Sequence, residues 1–312
     1  MTALPTRIAA AGATPGFDWF GLVIQPLLPI PAILLVVPLL WWFFRDTWQE
    51  LDEAANAERL QLAAEGRSDY RPLVALVTIA LVLTLQETYG TRWYFDELIR
   101  PILVRLSVTH PKTIQIAKYD DLYGFGWWAA TRVAGYVAPL AVWRIAFPSE
   151  SILDLGFRTR DFFKHAWIYG LFLAVVLPAM LLVSRLPDFG SYYPFYKLAS
   201  RSWFDFLCWE AMYFAQFFAL EVFFRGFFLG ALRHSFGSGA IFAMAVPYCM
   251  IHYGKPFLEV NGAILAGIAL GSLSMKTKSI YQGFLLHITV AALMDWLSLW
   301  HRHALPTTLW SH

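Results

Sequence analysis

The sequence predicts an all-α membrane protein, a polytopic bundle of about eight transmembrane helices forming a single integral membrane domain. Three observations carry that reading. Hydrophobic residues make up 58% of the 312 and charged ones only 15%, where soluble domains carry about 25% charged residues. Apolar runs close to the ~20 residues needed to cross hydrocarbon recur along the chain. Aromatic residues reach 17% and gather at the edges of those runs, where a ring with a polar tip suits the headgroup layer. The net charge of +2 is too small to argue for a nucleic-acid partner. The expected surroundings are the lipid bilayer.

The expected spans follow in order. The first covers about 21–44, with Pro26, Pro29 and Pro31 near its start. Residues 1–21 lack the continuous apolar core of a signal peptide, so this span is expected to target the chain and stay. The charged segment 46–71 reads as a solvent-exposed or interfacial helix with alternating signs. A second span covers about 72–88, and 99–108 is expected to lie along the interface. The third, about 122–147, contains Arg132, which should face the bundle or snorkel because a cation in hydrocarbon is costly. The fourth covers about 165–186.

A loop with Pro187, Gly190 and Pro194 leads to the apolar block 203–232, too long for a single untilted span. Three more spans follow, at about 239–253, 260–275 and 280–300. Residues 1–200 thus read as transmembrane helices with interfacial segments, and 201–300 as the functional core. Lys and Arg are spread over alternate loops, so charge does not set the orientation. Cys208 and Cys249 lie in apolar stretches and read as small buried hydrophobes.

The C-terminal third places ionisable residues where lipid should be: Glu210, Glu221, Arg225, His252, Lys255, Glu259, His287 and Asp295. Each is costly there and is a functional candidate by default. Glu221 and Arg225 are four apart, so a helix puts them on one face as an ion pair. His252 and His287 follow in the next helices, and consecutive helices usually neighbour one another. A carboxylate beside an imidazole holds a water and takes its proton, and a second imidazole donates to the oxyanion of an attacked carbonyl. Two His and one Glu are also a ligand set of catalytic zinc. No HExxH spacing is present, so no metal or other cofactor is the favoured expectation.

These residues resemble the CPBP family (CAAX prenyl-protease and bacteriocin-processing type), also called the ABI family of intramembrane endopeptidases. Its motifs are Glu-Glu-x-x-x-Arg, Phe-x-x-x-His and His-x-x-x-Asn or Asp. Here they stand as Leu220-Glu221 with Arg225, Tyr248 with His252, and His287 with Ala291. The resemblance covers roughly residues 200–300. It implies a glutamic-type endopeptidase acting on a protein or peptide substrate in or near the membrane, in a multi-pass protein of the bacterial inner membrane. The segment YPFYKLASRS and the form EVFFRG are similar to a myxosortase-like subgroup that processes C-terminal sorting signals.

Two positions depart from the pattern. Leu220 replaces the Glu that the family assigns to water activation, and Ala291 replaces the Asn beside the oxyanion. One reading is a non-catalytic member that binds or scaffolds, and another is a metal-dependent protease. In the favoured reading other groups fill the roles. Glu221 turns toward His252 as base, held by Arg225. Glu259 caps its helix or supplies the missing carboxylate. His287 stabilises the oxyanion, and Asp295 orients His287 through a Trp or water without directly replacing the Asn.

Overall fold

The computed structural model describes residues 23–27, 29–159 and 162–311. The reading of residues 1–21, and part of the start of the first span, lie outside the described residues. Most of the described residues are helical, and the β pairing among them is a single isolated bridge between Phe157 and Ser279. The helices are α1 Pro29–Ala64, α2 Arg71–Tyr89, α3 Arg100–Thr109, α4 Ile116–Ala146, α5 Ala166–Val183 and the short α6 Pro187–Tyr192. There follow α7 Trp203–Phe236, α8 Gly239–Met250, α9 Phe257–Thr277 and α10 Tyr281–His301.

Each of the eight expected spans has a helix. Among the described residues six are long and apolar enough to cross a membrane: α1, α2, α5 with its preceding turn, α7, α9 and α10. Of the other two, α4 is long but carries more polar residues, and α8 is apolar but has only 12 residues. Large apolar side chains point outward in number, such as Leu34 at 69% and Leu182 at 68% exposure. In water this surface would aggregate. In lipid it is the ordinary outer face of a multi-pass bundle, which this protein therefore is.

Segment 46–71 is helical and mostly exposed up to Ala64, as expected, but it is no element of its own. Residues 46–64 continue α1, which runs for 36 residues, about 54 Å at 1.5 Å per residue. Residues 46–64 are mostly strong helix formers with no Gly or Pro to break the run. The segment also has a buried face: Trp48 Nε1 donates to Ser272 Oγ of α9 at 2.9 Å. At its far end Arg71 lies 2.6 Å from Glu58 and 2.8 Å from Asp69. Those pairs tie α1 to the start of α2. The short helix α3 buries none of its residues. Arg132 packs into the α2–α4 seam, 3.6 Å from Glu87 and beside Gln86.

α7 is the central helix. Its most apolar window is 83% buried, against 11% for α1 and α5. Ser202 caps it, accepting the Asp205 amide at 3.1 Å, a contact typically worth about 1 kcal/mol. The Asp205 carboxylate is in turn held by Arg201 at 2.6 Å and by the Tyr196 hydroxyl at 2.7 Å. The apolar block too long for one span is thus one continuous helix, widened to a π-helical stretch over Val222–Phe228. Such stretches concentrate at functional sites, and this one begins directly after Glu221.

Candidate active site

Glu221 and Arg225 sit at the buried centre of α7, 0% and 1% exposed. Arg225 Nη1 is 3.1 Å from Glu221 Oε1, the pair expected from their spacing. The guanidinium also lies over the ring of Tyr248 on α8, 4.1 Å from its centroid. That cation–π contact carries part of a charge that lipid cannot solvate.

His287 on α10 completes the cluster. Its Nδ1 is 2.7 Å from Glu221 Oε1, and its Nε2 is 2.9 Å from the Tyr248 hydroxyl. Gly283, one turn before His287, makes this approach available, since a Cβ there would run into the Glu221 carboxylate. The Glu221 contacts are ionic ones whose angles miss good hydrogen-bond geometry. With a carboxylate at Nδ1, the proton belongs on Nδ1, so Tyr248 donates its O–H to Nε2.

His252 lies in the turn after α8, where Gly254 reverses the chain at φ +87°. Its Nδ1 donates to the Tyr248 carbonyl at 2.7 Å, one helical turn back, and its ring lies 4.7 Å from the Tyr248 ring. With Nδ1 as donor, Nε2 keeps its lone pair. His252 and His287 are both half-buried, but among the described residues only His252 has a ring nitrogen without a partner.

The structure therefore brings Glu221, Arg225 and His287 together, and joins His252 to them through Tyr248. Glu221 turns to His287 and makes no contact with His252. Glu259 stands apart: Lys255 donates to its Oε1 at 2.7 Å and the Tyr193 hydroxyl donates to its Oε2. It lies in the first turn of α9, where a carboxylate also suits the helix dipole. Asp295 stands apart as well, accepting from Trp209 Nε1 at 2.6 Å. From Trp209 an aromatic column leads along α7 to the site. Trp209 stacks on Tyr213 at 4.8 Å, Tyr213 meets Phe217 at 4.5 Å, and Phe217 stacks on His287 at 5.1 Å. Three aromatic rings, Trp209, Tyr213 and Phe217, thus stand between Asp295 and His287, where a single Trp or water was expected. Among the described residues no group of three or more His, Cys, Asp or Glu side chains gathers as metal ligands would.

Residues 202–293 match the Rce1-like family, described as type II CAAX prenyl endopeptidase Rce1-like. No curated protein and no solved structure matches the chain. The Rce1-like segment starts at the Ser202 cap of α7 and encloses Glu221, Arg225, His252, Glu259 and His287, leaving Asp295 just outside. The match reaches no subgroup.

The second motif places Tyr248 but assigns its hydroxyl no role. Its signal was present: a hydroxyl stands where the resemblance has Phe, four residues before His252. The aromatic column was legible too, as Trp209, Tyr213 and Phe217 at four-residue spacing on a helix. Glu210 stands among the ionisable residues of the C-terminal third. Its partner proves to be Asp295, which lies within hydrogen-bonding reach of it.

Proposed function

We propose that this chain is an intramembrane endopeptidase of the bacterial inner membrane, hydrolysing a peptide bond of a protein substrate in or near the bilayer. The observation that supports it best is the tautomer of His252: Nδ1 bonded to the Tyr248 carbonyl, and Nε2 left as a free base. In this reading a water attacks the substrate carbonyl carbon while His252 Nε2 takes its proton. The carbonyl π electrons move to oxygen. The Tyr248 hydroxyl turns from His287 Nε2 to donate to that oxyanion, while Glu221 holds the His287 ring through Nδ1. The tetrahedral intermediate collapses, the C–N bond breaks, and the amine leaves with the proton from His252. Arg225 holds Glu221 in place. Glutamic participation is then indirect: Glu221 acts through His287 rather than on the water, and Glu259 holds Lys255 and Tyr193.

A second reading, a non-cleaving binding protein of the same fold, is favoured by one observation. Both ring nitrogens of His287 are already occupied, by Glu221 and by Tyr248. Catalysis requires the Tyr248 hydroxyl to turn, whereas a scaffold does not.

The test is cleavage of membrane-anchored peptide libraries by purified protein in liposomes, comparing wild type with His252→Ala and His287→Ala. Loss of the general base should lower the rate by about 10²–10⁴-fold. Cleavage that persists at the wild-type rate in correctly inserted His252→Ala protein overturns the proposal. Wild-type protein that cleaves no member of the libraries favours the second reading.

A further inference from the structure

The C-terminal ends of α5 and α10 and the short helix α6 close around a cavity of about 560 Å³, well apart from Glu221. Its charge is one-sided. Arg185, His301 and Arg302 line it, together with three serine hydroxyls and no carboxylate. Two of those serines, Ser184 and Ser298, are 4% and 1% exposed, and their hydroxyls donate to the Leu181 and Tyr193 carbonyls, which leaves the cations as the groups facing the cavity.

Basic residues at helix C-termini have an ordinary use, complementing the last carbonyls. That accounts for part of the cluster. Arg302 donates through Nε to the Ser298 carbonyl at 3.1 Å and through Nη2 to the Tyr193 carbonyl at 3.2 Å. His301 Nε2 lies 3.2 Å from Ser184 Oγ. Arg185 is different: it is exposed, and among the described residues its guanidinium pairs with no carboxylate. Its neighbour Asp188 receives the Phe189 amide at 3.0 Å. Leu182 and Trp300, 68% and 58% exposed, stand close in sequence to Arg185 and His301, so the basic ring adjoins apolar surface, as a site in the headgroup layer would.

We propose that this cavity binds a phosphate group, gripped by the Arg185 guanidinium and by the N–H groups of Arg302 that its two carbonyl contacts leave over. Guanidinium forks match phosphate oxygens in pairs, and basic pockets between membrane helices take lipid head groups. The chemistry is shared by a phospholipid headgroup and by free phosphate.

The thermal unfolding midpoint of the detergent-purified full chain separates the sources. It is measured with inorganic phosphate against chloride at equal ionic strength, and with phosphatidylglycerol against diacylglycerol, which has the chains without the phosphate. Phosphatidylglycerol should raise the midpoint above diacylglycerol by roughly 2–4 °C. A matching rise with inorganic phosphate assigns the site to the free anion, and a rise with the lipid alone assigns it to the headgroup. Among the described residues Arg185→Gln breaks no side-chain hydrogen bond or ion pair, and it should remove most of either rise. The proposal is overturned if neither phosphate source raises the wild-type midpoint, or if Arg185→Gln keeps the full rise.

Discussion

His287 Nδ1 and Glu221 Oε1 lie 2.7 Å apart in the middle of the bundle. The carboxylate of α7 is therefore spent on the imidazole of α10, and the imidazole of the α8 turn must work without it. Glu221 also faces the buried Arg225 guanidinium. Removing one partner of a buried ion pair typically costs about 3–5 kcal/mol, because the other charge stays behind. Glu221→Gln should destabilise the protein by that order and Glu221→Gln/Arg225→Gln by less than the sum of the two single changes. Thermal unfolding of the four proteins in one detergent measures the coupling. Additive losses would mean that the two residues do not interact.

Tyr248→Phe removes one hydroxyl and leaves the ring beneath Arg225 and the carbonyl on His252 in place. The His287 Nε2 lone pair then loses its donor, a loss of about 1–3 kcal/mol for a buried group. If the hydroxyl serves the oxyanion, cleavage should fall by on the order of 10²-fold in kcat with KM little changed. A variant that loses stability but keeps wild-type kcat would assign Tyr248 to structure alone.

Gly283 tests the fit of α10 against α7. A Cβ at that position meets the Glu221 carboxylate, the group least free to move away because Arg225 and His287 hold it. Gly283→Ala should cost about 1–3 kcal/mol, as overpacking in a fixed core does. Gly262, with open space around its missing Cβ, is the matched control. Equal unfolding midpoints for Gly283→Ala and Gly262→Ala would refute the close approach.

The bundle was legible because apolar run length is a one-dimensional property, and hydrocarbon thickness converts it directly into helices. The join between the first span and the charged segment after it was not legible in that way. Helix propensity continues through Asp46, while hydropathy changes there, and the chain follows propensity. The site was half legible. Spacing within one helix determined the Glu221–Arg225 pair. Which imidazole Glu221 meets depends on how α7, α8 and α10 cross, and on Gly283 making room, so sequence order could not choose between His252 and His287. Tyr248 was hidden for a simpler reason: a Tyr at the edge of an apolar run normally marks the interface, and only the tertiary contact gives its hydroxyl a partner.

Asp69 gives the fold an acid limit. It lies between α1 and α2, outside the spanning segments. Burial raises its pKa, but bonds from the Arg71 guanidinium, the Ser235 hydroxyl and the Arg71 amide outweigh burial and hold it below the ordinary carboxylate value. A carboxyl depressed in the folded state adds stability above its unfolded pKa of about 3.9, and loses it as pH falls through the folded value. Unfolding midpoints should therefore drop below about pH 4. Asp69→Asn should be less stable at neutral pH and show a flatter acid limb. Parallel acid limbs in the two proteins would place the titrating group elsewhere.

Glu210 and Asp295 form a buried carboxyl pair at the other end of the aromatic column. Both Glu210 oxygens and Asp295 Oδ1 lack a donor, and Trp209 serves only Asp295 Oδ2. Two ionised carboxylates accept and never donate, so the pair is satisfied only when a single proton lies between them. Glu210→Gln supplies that donor permanently with the same shape. It should leave stability within about 0.5 kcal/mol of wild type. Asp295→Ala leaves the Trp209 indole without its acceptor and opens a hole beside Glu210, so it should cost about 1–3 kcal/mol. Thermal unfolding of both variants decides the matter. If Glu210→Gln proves as damaging as Asp295→Ala, the proton-sharing account is wrong and Glu210 is needed as a charge.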